Sequence, residues 1–383
     1  MTDKQPKTPK KEKIATKKLV LFDAHAILHR AYHALPDFTS ASGEPTGGLY
    51  GLSTMLMRII DELKPDYLAA CYDRAEATFR KEAYEGYKAN RKKSDDELIS
   101  QIIRSREVFT AFGIPIYDKA GFEADDMIGT IVEQTKDNKN LQVIIASGDM
   151  DTMQLIDNKK VLVYTIKKGI NDTILYDEVG IKERFGFRPA LLADYKGLRG
   201  DPSDNIIGIP GIGEKTATDL VVNFGTIEDL YKKLKKDEEA FKKVGIKERI
   251  IGLLKNGEEE ALFSKMLATI RRDAPIAYEL PAQAWAETFD ISKVEKIFRE
   301  LDFKSLSSRA RNMSVIKATN ILEPKIEEVI ETEESKNQIK RVGIALWLID
   351  STKTTPTRED ILDFAGTKTL DEAEEKIIKE LHH

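Results

Sequence analysis

Leu141-Gln142-Val143-Ile144-Ile145-Ala146-Ser147-Gly148-Asp149-Met150-Asp151 decides the fold. A short apolar run of strand length stops at a small, flexible pair and then presents two carboxylates. The same grammar recurs upstream. Asp23 closes the apolar run Leu19–Phe22 and Asp73 closes Tyr67–Tyr72. Two further acidic clusters, Gly121-Phe122-Glu123-Ala124-Asp125-Asp126 and Gly200-Asp201-Pro202-Ser203-Asp204-Asn205, read as ends of strands too. Between the apolar runs lie amphipathic stretches, which predict helices over 25–35, 48–63, 95–112 and 123–136, with a further strand at Ile114–Tyr117. That alternation predicts an α/β fold with a mainly parallel sheet and helices on both faces.

Carboxylates at the carboxyl ends of parallel strands converge on one crevice. Two such charges ~5 Å apart at an effective dielectric near 20 repel by roughly 3 kcal/mol, so nine of them need divalent cations. Individually each acid could be a helix cap or a loop charge; together they point to metal-dependent phosphoryl transfer. An all-oxygen donor set favours Mg²⁺, with Mn²⁺ as a substitute, over zinc. Two such ions are the usual device for cutting a phosphodiester. His25, His29 and His33 recur every fourth residue and mimic a zinc site, but Arg30 beside them would repel a cation.

The 383 residues suffice for two or three domains; 41% are hydrophobic and 33% charged, which suits a soluble protein. No apolar run reaches membrane-spanning length, and no apolar signal core opens the sequence. Cys71, the single cysteine, lies in an apolar strand, excludes an internal disulfide and fits a reducing cytoplasm. The net charge of −5 hides an uneven distribution. Residues 1–17 read as a disordered basic tail, and the seven lysines of residues 1–18 outnumber Asp3 and Glu12 by five.

After Asp177 the pattern turns helical. Residues 18–189 are assigned to an α/β domain, 190–312 to a smaller helical domain, 313–340 to a polar acidic linker and 341–383 to a short remnant. Two stretches suit a nucleic-acid partner. Thr78–Lys93 interleaves basic and aromatic residues, including Arg80, Tyr87, Lys88 and Arg91, the pairing of phosphate attraction and stacking surface that single strands need. Gly208-Ile209-Pro210-Gly211-Ile212-Gly213-Glu214-Lys215 puts glycines before a helix, where backbone N–H groups can approach a phosphate.

This set of motifs, in this order, resembles the 5′-nuclease or flap endonuclease family, most closely the 5′-to-3′ exonuclease domain of bacterial polymerase I, over residues 18–312. The resemblance implies a PIN-like sheet and a helical arch at about residues 78–95. It implies two metal sites, with Asp23, Asp73, Glu123 and Asp125 around the first and Asp126, Asp149, Asp151, Asp201 and Asp204 around the second. Lys88 and Arg91 would touch the scissile phosphate, beside Arg80 and Tyr87. Arg30, Lys196, Gly211, Gly213 and Lys215 would contact DNA, the last three in a helix-three-turn-helix element. The implied substrates are DNA with a 5′ end, flap or nick, and an RNA–DNA hybrid; a separate DNA polymerase is an implied partner.

The implied location is the cytoplasm, at the nucleoid. Residues 341–383 look like part of the exonuclease-like region that follows this domain in polymerase I; with no polymerase domain, a short natural protein or a fragment is expected. A PIN-like ribonuclease would share the acidic crevice without the glycine hairpin. A non-catalytic DNA-binding scaffold would keep the hairpin and could lose carboxylates.

Overall fold

Alternation of side chains along a strand buried on both faces builds two cores, one on each side of the sheet. The sheet has six strands: β1 Lys17–Asp23, β2 Tyr67–Cys71, β3 Ile116–Tyr117, β4 Leu141–Ala146, β5 Val161–Lys168 and β6 Asp172–Tyr176. Leu19, Leu21, Ala69, Cys71, Val143 and Ile145 enter one core, while Val20, Phe22, Leu68, Ala70, Ile144 and Ala146 enter the other. The spatial order is β3-β2-β1-β4-β5-β6, with only β6 antiparallel to its neighbour. Asp23 pairs in register with Cys71, whose thiol is fully buried. The strand at Leu141–Ala146 lies where the sequence puts it, whereas the β5–β6 hairpin is an addition to the expected pattern.

In the computed structural model, residues 16–168, 172–321, 333–349, 356, 358–367 and 369–381 are described. Most of the basic tail (1–15), part of the expected linker (322–332), and His382 and His383 lie outside them. Helices α1 (Ala24–Ala34), α2 (Gly47–Leu63), α4 (Asp96–Ala111) and α5 (Ala124–Gln134) flank the sheet, and the five-residue α3 (Phe79–Ala83) follows β2. Helices α6 (Glu178–Phe185), α7 (Leu192–Arg199) and α8 (Glu214–Phe224) begin the helical part, which continues through four more helices between Ile227 and Ala268.

The helical part has no separate core. Tyr195, Leu198, Leu220 and Leu254 join the sheet residues Leu19 and Val143 in one cluster, and residues up to Thr319 form one compact unit. The chain then returns to the opposite face, where Val294, Phe298 and Phe303 pack with Leu28, Leu56 and Phe109. Trp285 fastens that return by donating its Nε1–H to the Phe112 carbonyl at 2.7 Å.

The second unit, from Asn320 onward, contains helices Glu333–Ile349, Arg358–Ala365 and Leu370–Leu381 around Val342, Leu346, Ile361 and Ile377. The apolar run from Val342 is therefore helical, and a helix, Lys304–Ile321, crosses the expected linker start at 313. No helix among the described residues is long and apolar enough to cross a membrane.

Candidate active site

Sheet order reverses between β1 and β4, so a crevice opens at their carboxyl ends, the topological switch point of an α/β sheet. Asp23 and Asp149 flank it. Asp23 caps α1, accepting from the Ala26 N–H at 3.0 Å and from the Ser147 hydroxyl at 2.6 Å. Burial, with Asp73 and Asp149 nearby, pushes its pKa up to about 7 against those two hydrogen bonds. Asp73 accepts from the Ala124 N–H at 2.7 Å, and its own N–H donates to His25 Nδ1 at 3.1 Å. Ser147 and His25 are thus orienting groups that sequence reasoning missed. Only a serine directly after a strand hinted at the first.

Asp125 opens α5 and carries the heaviest penalty. Burial and the charges of Asp149, Asp23, Asp151 and Glu123 hold its pKa well above the carboxylate range. Its neighbour Asp126 departs from the expected second metal group. Asp126 is 0% exposed and takes a two-pronged ion pair from Arg80, itself 3% exposed, at 2.8 Å to each oxygen. It also accepts from the N–H groups of Glu123 and Arg271. Consecutive helical residues point about 100° apart, and here Asp125 faces the crevice while Asp126 turns inward to Arg80. Arg80, expected at the phosphate, donates instead to Asp126 and to the carbonyls of Leu267 and Thr269. It is a buried strut between α5 and the helical part.

The segment expected to arch over the site lies against the acids. Beyond the five-residue α3 it forms turns, and Tyr87, 4% exposed, packs with Ile206, Leu267 and Ala268. The Tyr87 hydroxyl faces Glu123 at 3.1 Å and Asp204 at 3.2 Å, so it belongs to the core rather than to an open strand-binding face. Lys88 reaches Glu123 at 2.9 Å and Asp204 at 4.0 Å, and Arg91 pairs with Asp204. Burial works against the Lys88 charge, but those two carboxylates raise its pKa overall.

Asp201 and Asp204 follow helix α7 rather than a strand. Their loop closes on itself through two backbone hydrogen bonds between Asp201 and Ile206. Gly200 (φ +78°) and Gly208 (φ +65°) make that closure possible, because a Cβ on Gly208 would lie 2.2 Å from the Gly200 nitrogen. Lys196, expected at DNA, bridges Asp151 and Asp201. Burial pushes Asp151 up to about 6, helped by Asp149 and Asp204 and opposed by Lys196. Burial also disfavours the Asp201 charge, yet Lys196 and Ser203 hold its pKa below the usual value.

The crevice over these ends encloses about 890 Å³ and is lined by Asp23, Asp73, Glu123, Asp125 and Asp149, with Arg30, Lys88 and Arg91. Asp204 joins them through Lys88 and Arg91, and Asp151, which Lys196 ties to Asp201, feels the charges of Asp149 and Asp204. Gly211, Gly213 and Lys215 are exposed, with Gly213 capping α8 and Lys215 on its first turn.

The donor set is all oxygen, and Asp23, Asp125 and Asp151 resist ionisation together, which fits a hard divalent cation. Among the described residues no three His, Cys, Asp or Glu side chains form a ready-made chelate; Lys88, Arg91 and Lys196 stand among the oxygens. His25 is turned to Asp73, while His29 and His33 meet each other at 3.3 Å.

Residues 18–186 match a family model described as 5′-3′ exonuclease, N-terminal resolvase-like domain, and residues 187–290 match 5′-3′ exonuclease, C-terminal SAM fold. DNA polymerase I of Caldicellulosiruptor bescii is 38% identical over 340 residues, covering 88% of this chain and 39% of that protein. DNA polymerase I of Bacillus subtilis is 37% identical over 293 residues, covering 76% of this chain and 32% of that protein. The chain therefore spans well under half the length of these curated relatives.

Two solved structures share the fold. T5 5′-exonuclease with bound zinc has 20% identity and a TM-score of 0.53, covering 79% of this chain and 100% of that one. Bacteriophage T5 D15 flap endonuclease, in a pseudo-enzyme–product complex with DNA and metal ions, has 17% identity and a TM-score of 0.54, covering 78% and 99%. A resolvase-like sheet with acids at its switch point and a helical part on its core is the architecture of a nuclease. The chain belongs to the 5′-3′ exonuclease family.

Proposed function

We propose that the chain is a structure-specific 5′-to-3′ exonuclease and 5′-flap endonuclease that hydrolyses DNA phosphodiesters, RNA primers included, in primer removal and excision repair. The observation that carries this is the gathering of eight carboxylates at the switch point with Lys88 and Arg91 among them. Asp23, Asp73, Glu123, Asp125 and Asp149 would hold Mg²⁺ from the crevice side, and Asp151, Asp201 and Asp204 a second ion. Bound there, the cations would supply Lewis-acid charge for water activation and for the leaving oxygen.

The chain's own residues do the rest. Ser147 and the Ala26 and Ala124 N–H groups fix the carboxylate directions. Lys88 and Arg91 exchange their carboxylate partners for the scissile phosphate and offset charge that grows in the transition state. Gly211, Gly213 and Lys215 hold the duplex backbone and position it without reading sequence. Relatives named DNA polymerase I support a polymerase as the partner that fills the gap behind the nuclease.

Cleavage of a 5′-flap duplex and of single-stranded RNA, each with Mg²⁺ and with chelator, tests the reading. Mg²⁺-dependent flap cutting is expected; RNA cutting without flap cutting would favour a ribonuclease, and duplex binding with no cutting a scaffold.

A further inference from the structure

The turn that carries Lys88 is fastened to the loop that carries Asp204. The Lys88 N–H donates to the Asp204 carbonyl at 2.9 Å, the Asn205 side-chain amide to the Gly86 carbonyl at 2.7 Å, and the Asn90 side-chain amide to the Pro202 carbonyl at 2.6 Å. Each asparagine meets a carbonyl oxygen, so each presents its amide N–H. Lys88 and Asn205 both adopt left-handed backbone, at φ +55°. Asparagine tolerates that region, whereas a lysine holds it where the surroundings impose it. Tyr84 braces the same turn: its ring packs edge-on against Phe263, with centroids 6.0 Å apart, and a Cβ on Gly86 would lie 2.3 Å from it.

These bonds all end on main-chain atoms of the turn or the loop, while the carboxylate partners of Lys88 and Arg91 are held by side chains alone. The two cations can therefore exchange partners while the backbone beneath them stays in place. The loop is itself braced. Asp201 pairs with Ile206 at its closure, and just beyond it the Gly208 N–H donates to the Ser264 hydroxyl at 3.0 Å and the Ile209 N–H to the Leu198 carbonyl at 2.9 Å. Gly208 also opens the glycine stretch that leads to Gly211, Gly213 and Lys215. A short, doubly anchored length of chain thus joins that stretch to the turn under Lys88.

We infer that Asn205, assisted by Asn90, is a positioning residue: it clasps the Lys88 turn to the loop entering the glycine hairpin, and so sets where on the strand the cut falls relative to the gripped duplex. The inference rests on the nuclease reading for the cut, though not for the clasp.

The test follows single-turnover cleavage of an end-labelled 5′-flap duplex in Mg²⁺, with product lengths resolved to one nucleotide. Duplex affinity in Ca²⁺ and amide hydrogen exchange of residues 84–91 are measured on the same proteins. N205G keeps a residue at ease with positive φ and removes only the side-chain bond. It should slow cleavage by about tenfold or more, since misplacing a catalytic group by about 1 Å costs up to about 10²-fold, and should spread the cut over adjacent positions at unchanged duplex affinity. Exchange of residues 84–91 should quicken. N90A, a change at an exposed side chain, should act in the same direction and more weakly, which keeps the test open if N205G folds poorly. K88A/N205G should be no slower than K88A, because the clasp acts through that lysine. A single cut position at the unaltered rate in both variants, or losses that multiply in K88A/N205G, would overturn the inference, as would unchanged exchange. Faster exchange in N205G with no cleavage by the unaltered protein would instead sink the nuclease reading and leave the clasp standing.

Discussion

Around the ends of β1 and β2 the acids are held by neutral donors, whereas around the 200–208 loop they are held by cations. Asp23 and Asp73 lean on backbone N–H groups and a serine hydroxyl; Asp201 and Asp204 lean on Lys196, Lys88 and Arg91. Their protonation follows. Asp23 is driven up to about 7 and Asp125 well above its usual range, while Asp201 is held low. The difference teaches that one acidic region carries charge its own side chains leave unbalanced, and the other arrives partly neutralised. Burial alone cannot explain it, because Asp23 and Asp201 are similarly buried, at 4% and 7% exposed, and differ in their partners. Asp126, fully buried, has the most complete pairing of all.

The largest effect should come from that fully paired carboxylate. Arg80→Ala would strand Asp126 in the interior, and breaking a buried pair from one side costs about 3–5 kcal/mol. Urea unfolding should show it, and a loss below about 1 kcal/mol would mean that the N–H donors to Asp126 suffice. Next comes the contrast between the two regions themselves. Asp125→Asn removes unbalanced charge, so cleavage should fall by about 10²–10³-fold while the melting temperature holds or rises. Asp201→Asn removes a partner of Lys196 and should lower both activity and melting temperature, by about 1–3 kcal/mol in stability. Equal thermal losses in the two variants would erase the distinction.

Lys88→Ala probes the cations that join the regions. Single-turnover flap cleavage should slow by about 10²-fold, at a stability cost of no more than about 1 kcal/mol, because Glu123 keeps Tyr87 and Arg80. Wild-type cleavage would reduce Lys88 to a counter-ion. The smallest effect lies away from both regions: Lys215→Ala should reduce the slope of log K against log salt for duplex binding by about one unit. Titrations at several salt concentrations that give the same slope would show that Lys215 does not touch the backbone.

Much of the α/β plan is legible because strand burial is written locally. Leu141–Ala146 is apolar at every position but Gln142 and ends in Ser147-Gly148-Asp149, so a buried strand and its site-facing end are read from eleven residues. Asp23, Asp73, Glu123, Asp125, Asp149 and Asp151 reach the cluster for the same reason, each at or next to an element end, whereas Asp201 and Asp204 come from the loop after α7. Asp126 escapes that logic by one residue of helical rotation, and the partner that claims it, Arg80, is also tied to carbonyls 187 and 189 positions along the chain. Tyr87 is a similar case. An aromatic in a basic run reads as solvent-facing until Ile206 and Leu267 arrive from the helical part to cover it. The β5–β6 hairpin escapes because it departs from the helix–strand alternation used to find the others.

Cys71 gives the sheet an internal reporter. Its thiol is fully buried, directly across the β1–β2 ladder from Asp23, and burial with the charges of Asp23, Asp125 and Asp73 holds it in the protonated, unreactive form. Because it is the chain's sole cysteine, the rate at which a thiol reagent labels the protein would time the opening of the strand beneath the crevice, undisturbed by any second site. A cation or DNA that tightens the crevice would lengthen that time, so occupancy could be followed with no turnover at all.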